Sequence, residues 1–167
     1  MAQATGRRNG AVFSALGLLA FVGVCLGAAA VGSAFTIPSI PGWYAGLEKP
    51  FFSPPNWLFG PVWSVLYLAM AVAGWLVWRR EGLSGVTVPL AVFGFQLLLN
   101  VAWSGLFFGL RLPGVALVEI LALWAAILAT ILLFRRTSTP AALLLVPYLA
   151  WVTFATILNF EIWRLNS

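Results

Sequence analysis

Trp43-Tyr44-Ala45-Gly46-Leu47-Glu48-Lys49-Pro50-Phe51-Phe52-Ser53-Pro54-Pro55-Asn56-Trp57 is a proline-broken aromatic stretch set between two long apolar runs. A segment this rich in Trp, Tyr, Phe and Pro is built to hold a shape and to present flat surfaces. Upstream lies Gly10–Ala34 and downstream Leu58–Trp78. Three further apolar runs follow, Val86–Leu110, Leu112–Phe134 and Ala141–Trp163. Each supplies the roughly 20 residues that a helix needs to cross a bilayer. The expected fold class is therefore all-α: a polytopic membrane protein forming a five-helix bundle. Residues 1–9 are a short N-terminal segment, residues 10–167 a single transmembrane domain, and residues 35–57 the aromatic loop joining the first two helices.

Composition supports this reading. The chain has 167 residues, of which 62% are hydrophobic and 8% charged. A soluble domain carries about 25% charged residues to wet its surface, so here the bilayer is the solvent. His is absent and Cys25 is the sole cysteine, which excludes an intrachain disulfide and argues against a His/Cys metal site. The net charge of +5 comes as short pairs at segment ends, not as a basic stripe, so no nucleic-acid partner is expected.

The same charges orient the bundle. One side carries Arg7, Arg8, Arg79, Arg80, Arg135 and Arg136; the other carries Lys49, Arg111 and Arg164. The excess of positive charge predicts a cytoplasmic N-terminus, with the aromatic loop and the C-terminus outside a bacterial cell membrane. A rival reading makes the first apolar run a cleaved leader headed by Arg7-Arg8. That run exceeds the usual 7–15 residues of a signal core, which disfavours cleavage.

Three helices carry polar-aromatic stripes at helical spacing. They are Trp63, Tyr67 and Met70 on the second, Gln96, Asn100, Trp103 and Phe107 on the third, and Tyr148, Trp151, Ala155 and Asn159 on the fifth. Amides are costly in lipid unless paired, so these faces should point into the bundle. Taken alone, Asn100 or Asn159 reads more readily as an interhelical tie than as a ligand contact. Stripes converging beneath one aromatic loop point to a cavity for a flat amphipathic ligand, offering ring faces and a few hydrogen-bonding groups.

Other features are less specific. Glu119 lies about 12 Å into the fourth span by helical rise. It reads either as a functional group at membrane depth or as a carboxyl packed near the interface. Glu161 and Arg164 can pair at i, i+3 as an interfacial anchor. Gly23-x-x-x-Gly27 and Gly105-x-x-x-Gly109 permit close helix approach, within one chain or between two. Pro147 is expected to kink the fifth helix. No nucleophile elbow, phosphate loop or paired catalytic carboxylates occur.

The pattern W-Y-x-x-L-x-K-P-x-x-x-P-P followed by Val62-Trp63-Ser64-Val65-Leu66-Tyr67 resembles the translocator-protein family, also called the tryptophan-rich sensory protein family. The likeness extends through Asn100-Val101-Ala102-Trp103-Ser104, Phe107-Phe108-Gly109, Pro147-Tyr148-Leu149-Ala150-Trp151 and Ala155-Thr156-Ile157-Leu158-Asn159-Phe160. The resemblance implies a five-helix bundle, often a homodimer, with a ligand cavity below the first loop. It implies non-covalent binding of porphyrins, protoporphyrin IX or haem, and of drug-like aromatic molecules. Carried over by position, Tyr44 and Trp57 belong to the loop lid, with Phe51 and Phe52 standing where many bacterial relatives have tryptophan. Trp63, Asn100 and Trp151 fall on cavity positions. Trp63 and Trp151 match the pair linked to light-dependent porphyrin breakdown. Three activities follow as expectations: porphyrin binding or sensing, porphyrin degradation, and transport of porphyrins or other amphipaths. The sterol-recognition pattern of animal relatives is altered here, with Phe160 in place of a tyrosine and Glu161 adding charge, so sterol binding is not expected.

Overall fold

The computed structural model describes the backbone of residues 2–167 and the side chains of residue 10 and residues 12–167. Five helices form the molecule: α1 (Ala2–Ser39), α2 (Phe59–Gly85), α3 (Thr87–Ser104), α4 (Pro113–Thr137) and α5 (Thr139–Leu165). Among the described residues, five helical segments are long and apolar enough to cross a membrane. The side chains of Arg7 and Arg8, used above to orient the chain, lie outside the described residues.

Each helix stop has a local cause. Gly82, at φ +68°, breaks the last turn of α2, a conformation that needs no Cβ. Arg111 adopts φ +59° between α3 and α4, and Pro113 starts α4 where its missing N–H costs nothing. Ser138 separates α4 from α5, and its hydroxyl accepts a hydrogen bond from the Ala141 amide. α5 runs through Pro147 without interruption.

The first helix departs from expectation. α1 continues through Pro38 to Ser39 and then widens into a π-helical turn, Ile40–Tyr44. The loop expected over residues 35–57 is therefore much shorter. Pro38 and Pro41 remove backbone donors, which would end a free helix. Here contacts with the π-helical turn that follows α3, Gly105–Gly109, hold the coil: Ser39 Oγ donates to the Phe108 carbonyl at 2.8 Å, and Tyr44 packs on Phe108 with ring centroids 5.6 Å apart.

The helices close into a ring in the order α1, α2, α5, α4, α3. The end away from the loop is solid. Met70, Ala73, Val77, Phe93, Ile127, Phe134 and Leu145 are buried there, and Phe93 stacks on Phe134 at 5.7 Å. Small residues let the backbones approach: a Cβ on Gly74 would lie 2.8 Å from the Phe21 ring. Towards the loop, rings from α2, α3 and α5 face small residues of α1 and the bundle opens.

Candidate functional site: an aromatic cavity beneath the first loop

Above this packed half lies a cavity of about 440 Å³, within the usual size range of ligand pockets. Its walls come from α1, α2, α3 and α5, and its cover from Tyr44, Asn56 and Trp57. The ring faces are arranged in contact. Trp63 lies 5.6 Å from Tyr67, Trp103 stacks on Phe107 at 5.2 Å, and Trp151 sits 5.5 Å from Phe154 and 6.0 Å from Phe59. No charged side chain lines the cavity among the described residues.

Hydrogen bonds fix the walls. Tyr67 Oη donates to Asn100 Oδ1 at 2.5 Å, Asn100 Nδ2 donates to Tyr148 Oη at 2.8 Å, and Tyr148 Oη donates to Gln96 Oε1 at 3.0 Å. This buried chain ties α2, α3 and α5 together. A second tie sits higher: Trp103 Nε1 donates to Asn159 Oδ1 at 3.0 Å, and Asn159 Nδ2 donates to the Pro113 carbonyl at 2.8 Å. Both asparagines thus hold helices together while facing the cavity. Trp151 differs, because its indole N–H is buried without a hydrogen-bond partner among the described residues. A buried unpaired donor is costly, and a ligand acceptor would satisfy it.

The structure sorts the residues singled out from sequence. Tyr44, Trp57, Trp63, Tyr67, Asn100, Trp103, Phe107, Trp151, Ala155 and Asn159 all line the cavity. Four do not. Phe51 is fully exposed, because the turn closed by the Ser53 amide on the Pro50 carbonyl at 3.0 Å directs it outward. Phe52 packs behind the wall on Phe154, ring centroids 6.3 Å apart. Gln96 and Tyr148 are buried below the floor, where their polar atoms complete the hydrogen-bond chain. The wall supplied by α1 was missed. Ala29, Gly32, Ser33 and Thr36 recur at helical spacing there, a small-residue signal that reads as packing when taken alone. Glu119 does not line the cavity; its carboxylate oxygens are buried without hydrogen-bond partners among the described residues. Glu161 and Arg164 form the expected ion pair, at 2.7 Å.

The cover is clasped to the end of α5. The Glu48 amide donates to Asn166 Oδ1 at 3.0 Å, and Asn166 Nδ2 donates to the Glu48 carbonyl at 2.9 Å. On the loop itself, Lys49 Nζ donates to the Leu47 carbonyl at 2.9 Å and lies over the Tyr44 ring. Asn166→Ala removes the clasp. Losing about 1 kcal/mol there should speed hydrogen exchange at the Glu48 amide roughly fivefold. Exchange mass spectrometry on the peptide containing Glu48 measures this, and unchanged exchange would show that the clasp does not hold the loop.

The TspO/MBR family matches residues 21–164, from the second half of α1 to the last turn of α5. The chain belongs to the TspO/MBR family. It is 45% identical to the tryptophan-rich protein TspO of Chlorobaculum tepidum, over 87% of this chain and 92% of that one. It is 46% identical to the tryptophan-rich protein TspO of Archaeoglobus fulgidus, over 91% and 98%. It is also 46% identical to the human translocator protein, over 81% and 82%. TspO/MBR membership and the five apolar helices together make this an integral, multi-pass membrane protein.

Proposed function

We propose that the protein binds porphyrins, protoporphyrin IX above all, between the rings of its loop-side cavity. One observation carries the reading: an uncharged cavity walled by Trp63, Trp103, Phe107 and Trp151, with the unpaired indole N–H of Trp151 among them. Flat macrocycles gain from stacking on such faces. An acceptor on the ligand would satisfy Trp151. Haem and drug-like aromatic molecules would use the same surfaces, without covalent attachment. The test is the absorption and fluorescence of protoporphyrin IX titrated into purified protein in the dark. Saturable binding beyond partition into detergent supports the reading, and simple partition overturns it.

A second reading is favoured by the position of Trp63 and Trp151, which both line this cavity. An indole beside a photoexcited porphyrin can supply an electron or react with the oxidants formed from oxygen. Degradation would then depend on light and oxygen. Trp63→Phe and Trp151→Phe keep an aromatic face and remove the readily oxidised indole. These variants should hold porphyrin yet lose the light-driven spectral change. Bleaching by wild-type protein at the rate seen in protein-free micelles would eliminate the enzyme reading and leave binding intact.

We also place the loop and C-terminus outside a bacterial cell membrane. Contact between Glu48 and Asn166 supports a shared side for them. At the other end Arg80 donates to the Thr137 carbonyl at 2.8 Å, so the Arg79-Arg80 and Arg135-Arg136 pairs gather together. Ser167→Cys in a Cys25→Ala background should react with a membrane-impermeant thiol reagent in intact spheroplasts. Labelling only after lysis would invert the orientation. A homodimer is proposed as well, supported by Gly23 and Gly27 on α1, around which a Cβ would meet nothing within 4 Å.

A further inference from the structure

The cavity is not closed on all sides, and the distribution of its exposed residues shows where it opens. Seven lining residues are exposed: Leu26, Ser33 and Ile37 on α1, Asn56 and Trp57 in the turn before α2, and Gly60 and Ser64 on α2. All lining residues from α3 and α5 are buried or half-buried. The opening therefore runs between α1 and α2.

The cause is a change of partner along α1. Its first half packs on α2: Phe13 lies 5.3 Å from Trp78, and Trp75 Nε1 donates to the Ser14 carbonyl at 2.9 Å. Its second half leaves α2 for the end of α3 and the π-helical turn Gly105–Gly109 that follows it. A Cβ on Gly32 would lie 3.2 Å from Ser104 Oγ, and one on Gly109 would lie 3.0 Å from the Phe35 ring. The Ser39 hydroxyl completes the junction on Phe108. Between α1 and α2 this divergence leaves a slot edged by small side chains, Ser33 on α1 and Gly60 and Ser64 on α2.

Depth and chemistry identify what meets the slot. From Leu26 to Ile37 the helical rise is roughly 16 Å, about half the hydrocarbon thickness of a bilayer. An opening of that length in an apolar span faces acyl chains, not only water. Two of its hydroxyls suit such a neighbour: Thr36 Oγ1 donates to the Gly32 carbonyl at 3.0 Å and Ser64 Oγ to the Gly60 carbonyl at 2.9 Å. Neither presents an unsatisfied donor to hydrocarbon.

We propose that the slot between α1 and α2 is a lateral portal joining the cavity to the loop-side leaflet, wide enough to admit a lipid acyl chain. An amphipathic ligand dissolved in that leaflet would enter edge-on by the same route, without opening of the loop. This second step rests on the porphyrin reading, whereas the portal itself does not.

The experiment needs no porphyrin. A bimane fluorophore is attached at Ala155→Cys, on the far wall, in a Cys25→Ala background, and the protein is reconstituted in phosphatidylcholine vesicles. Phospholipid bearing a nitroxide on its acyl chain should quench the fluorophore, and lipid bearing the nitroxide on its headgroup should not. Ser33→Phe with Ser64→Phe narrows the slot and should abolish the quenching. Absence of chain-label quenching in the unplugged protein overturns the portal whether or not the plugged variant folds. Persistence of the quenching in a folded plugged variant, shown by a monodisperse elution peak and unchanged helicity, overturns it too. Failure of porphyrin binding in the dark titration would instead remove only the ligand and leave the portal standing.

Discussion

An Asn100→Leu variant is expected to lose about 2 kcal/mol of stability, read as an earlier midpoint of unfolding in mixed micelles. Leucine keeps the branched outline of asparagine at Cγ, with a somewhat larger volume, so the change is chiefly one of hydrogen bonding. Asn100 accepts from Tyr67 at 2.5 Å and donates to Tyr148 at 2.8 Å, with all three residues buried. Its loss leaves the Tyr67 hydroxyl without an acceptor and removes one partner of Tyr148. Hydrogen bonds between membrane helices average about 0.6 kcal/mol and reach about 1.7, because the unfolded chain also finds partners in the membrane. Two such bonds, plus a stranded buried hydroxyl, give the stated figure. Tyr67→Phe should cost about half as much, since it removes one bond only and those from Asn100 to Tyr148 and from Tyr148 to Gln96 survive. Equal losses in the two variants would show that packing, and not the polar chain, joins α2, α3 and α5.

That network also marks how far the sequence could be read. The five spans were legible because an apolar run of sufficient length has few alternatives. The stripes on α2, α3 and α5 were legible because a period of 3.6 assigns residues to a face. Periodicity does not assign depth. Tyr148 and Trp151 share a stripe, yet Tyr148 lies beneath the floor and Trp151 in the wall. Gln96 and Asn100 divide in the same way. The α1 wall escaped notice for another reason. α1 is apolar on nearly every side, so Ala29, Gly32, Ser33 and Thr36 carry no contrast that singles out a cavity face. Phe51 shows a third limit: its aromatic character was evident, but its direction is set by the turn from Pro50 to Ser53. The extension of α1 through Pro38 was hidden because contacts with Phe108, remote in sequence, override a local stop signal.

The second large effect concerns the cavity itself. Trp63→Ala together with Trp151→Ala removes two of the ring faces and the unpaired indole N–H. Aromatic contacts add about 0.5–1.5 kcal/mol each beyond area burial, and tenfold in affinity corresponds to about 1.4 kcal/mol. The pair should therefore weaken protoporphyrin IX binding by roughly tenfold or more. Both residues are only half-buried and stand outside the polar chain that joins the helices, so the double variant should still fold.

Binding of protoporphyrin IX in the dark, compared between wild-type protein and this double variant in the same micelles, tests the central claim most directly. The cavity account predicts a saturable fluorescence change for wild type and a dissociation constant at least about tenfold higher for the variant. Equal affinities for two folded proteins would contradict it and place the porphyrin, if it binds at all, somewhere other than beneath the loop.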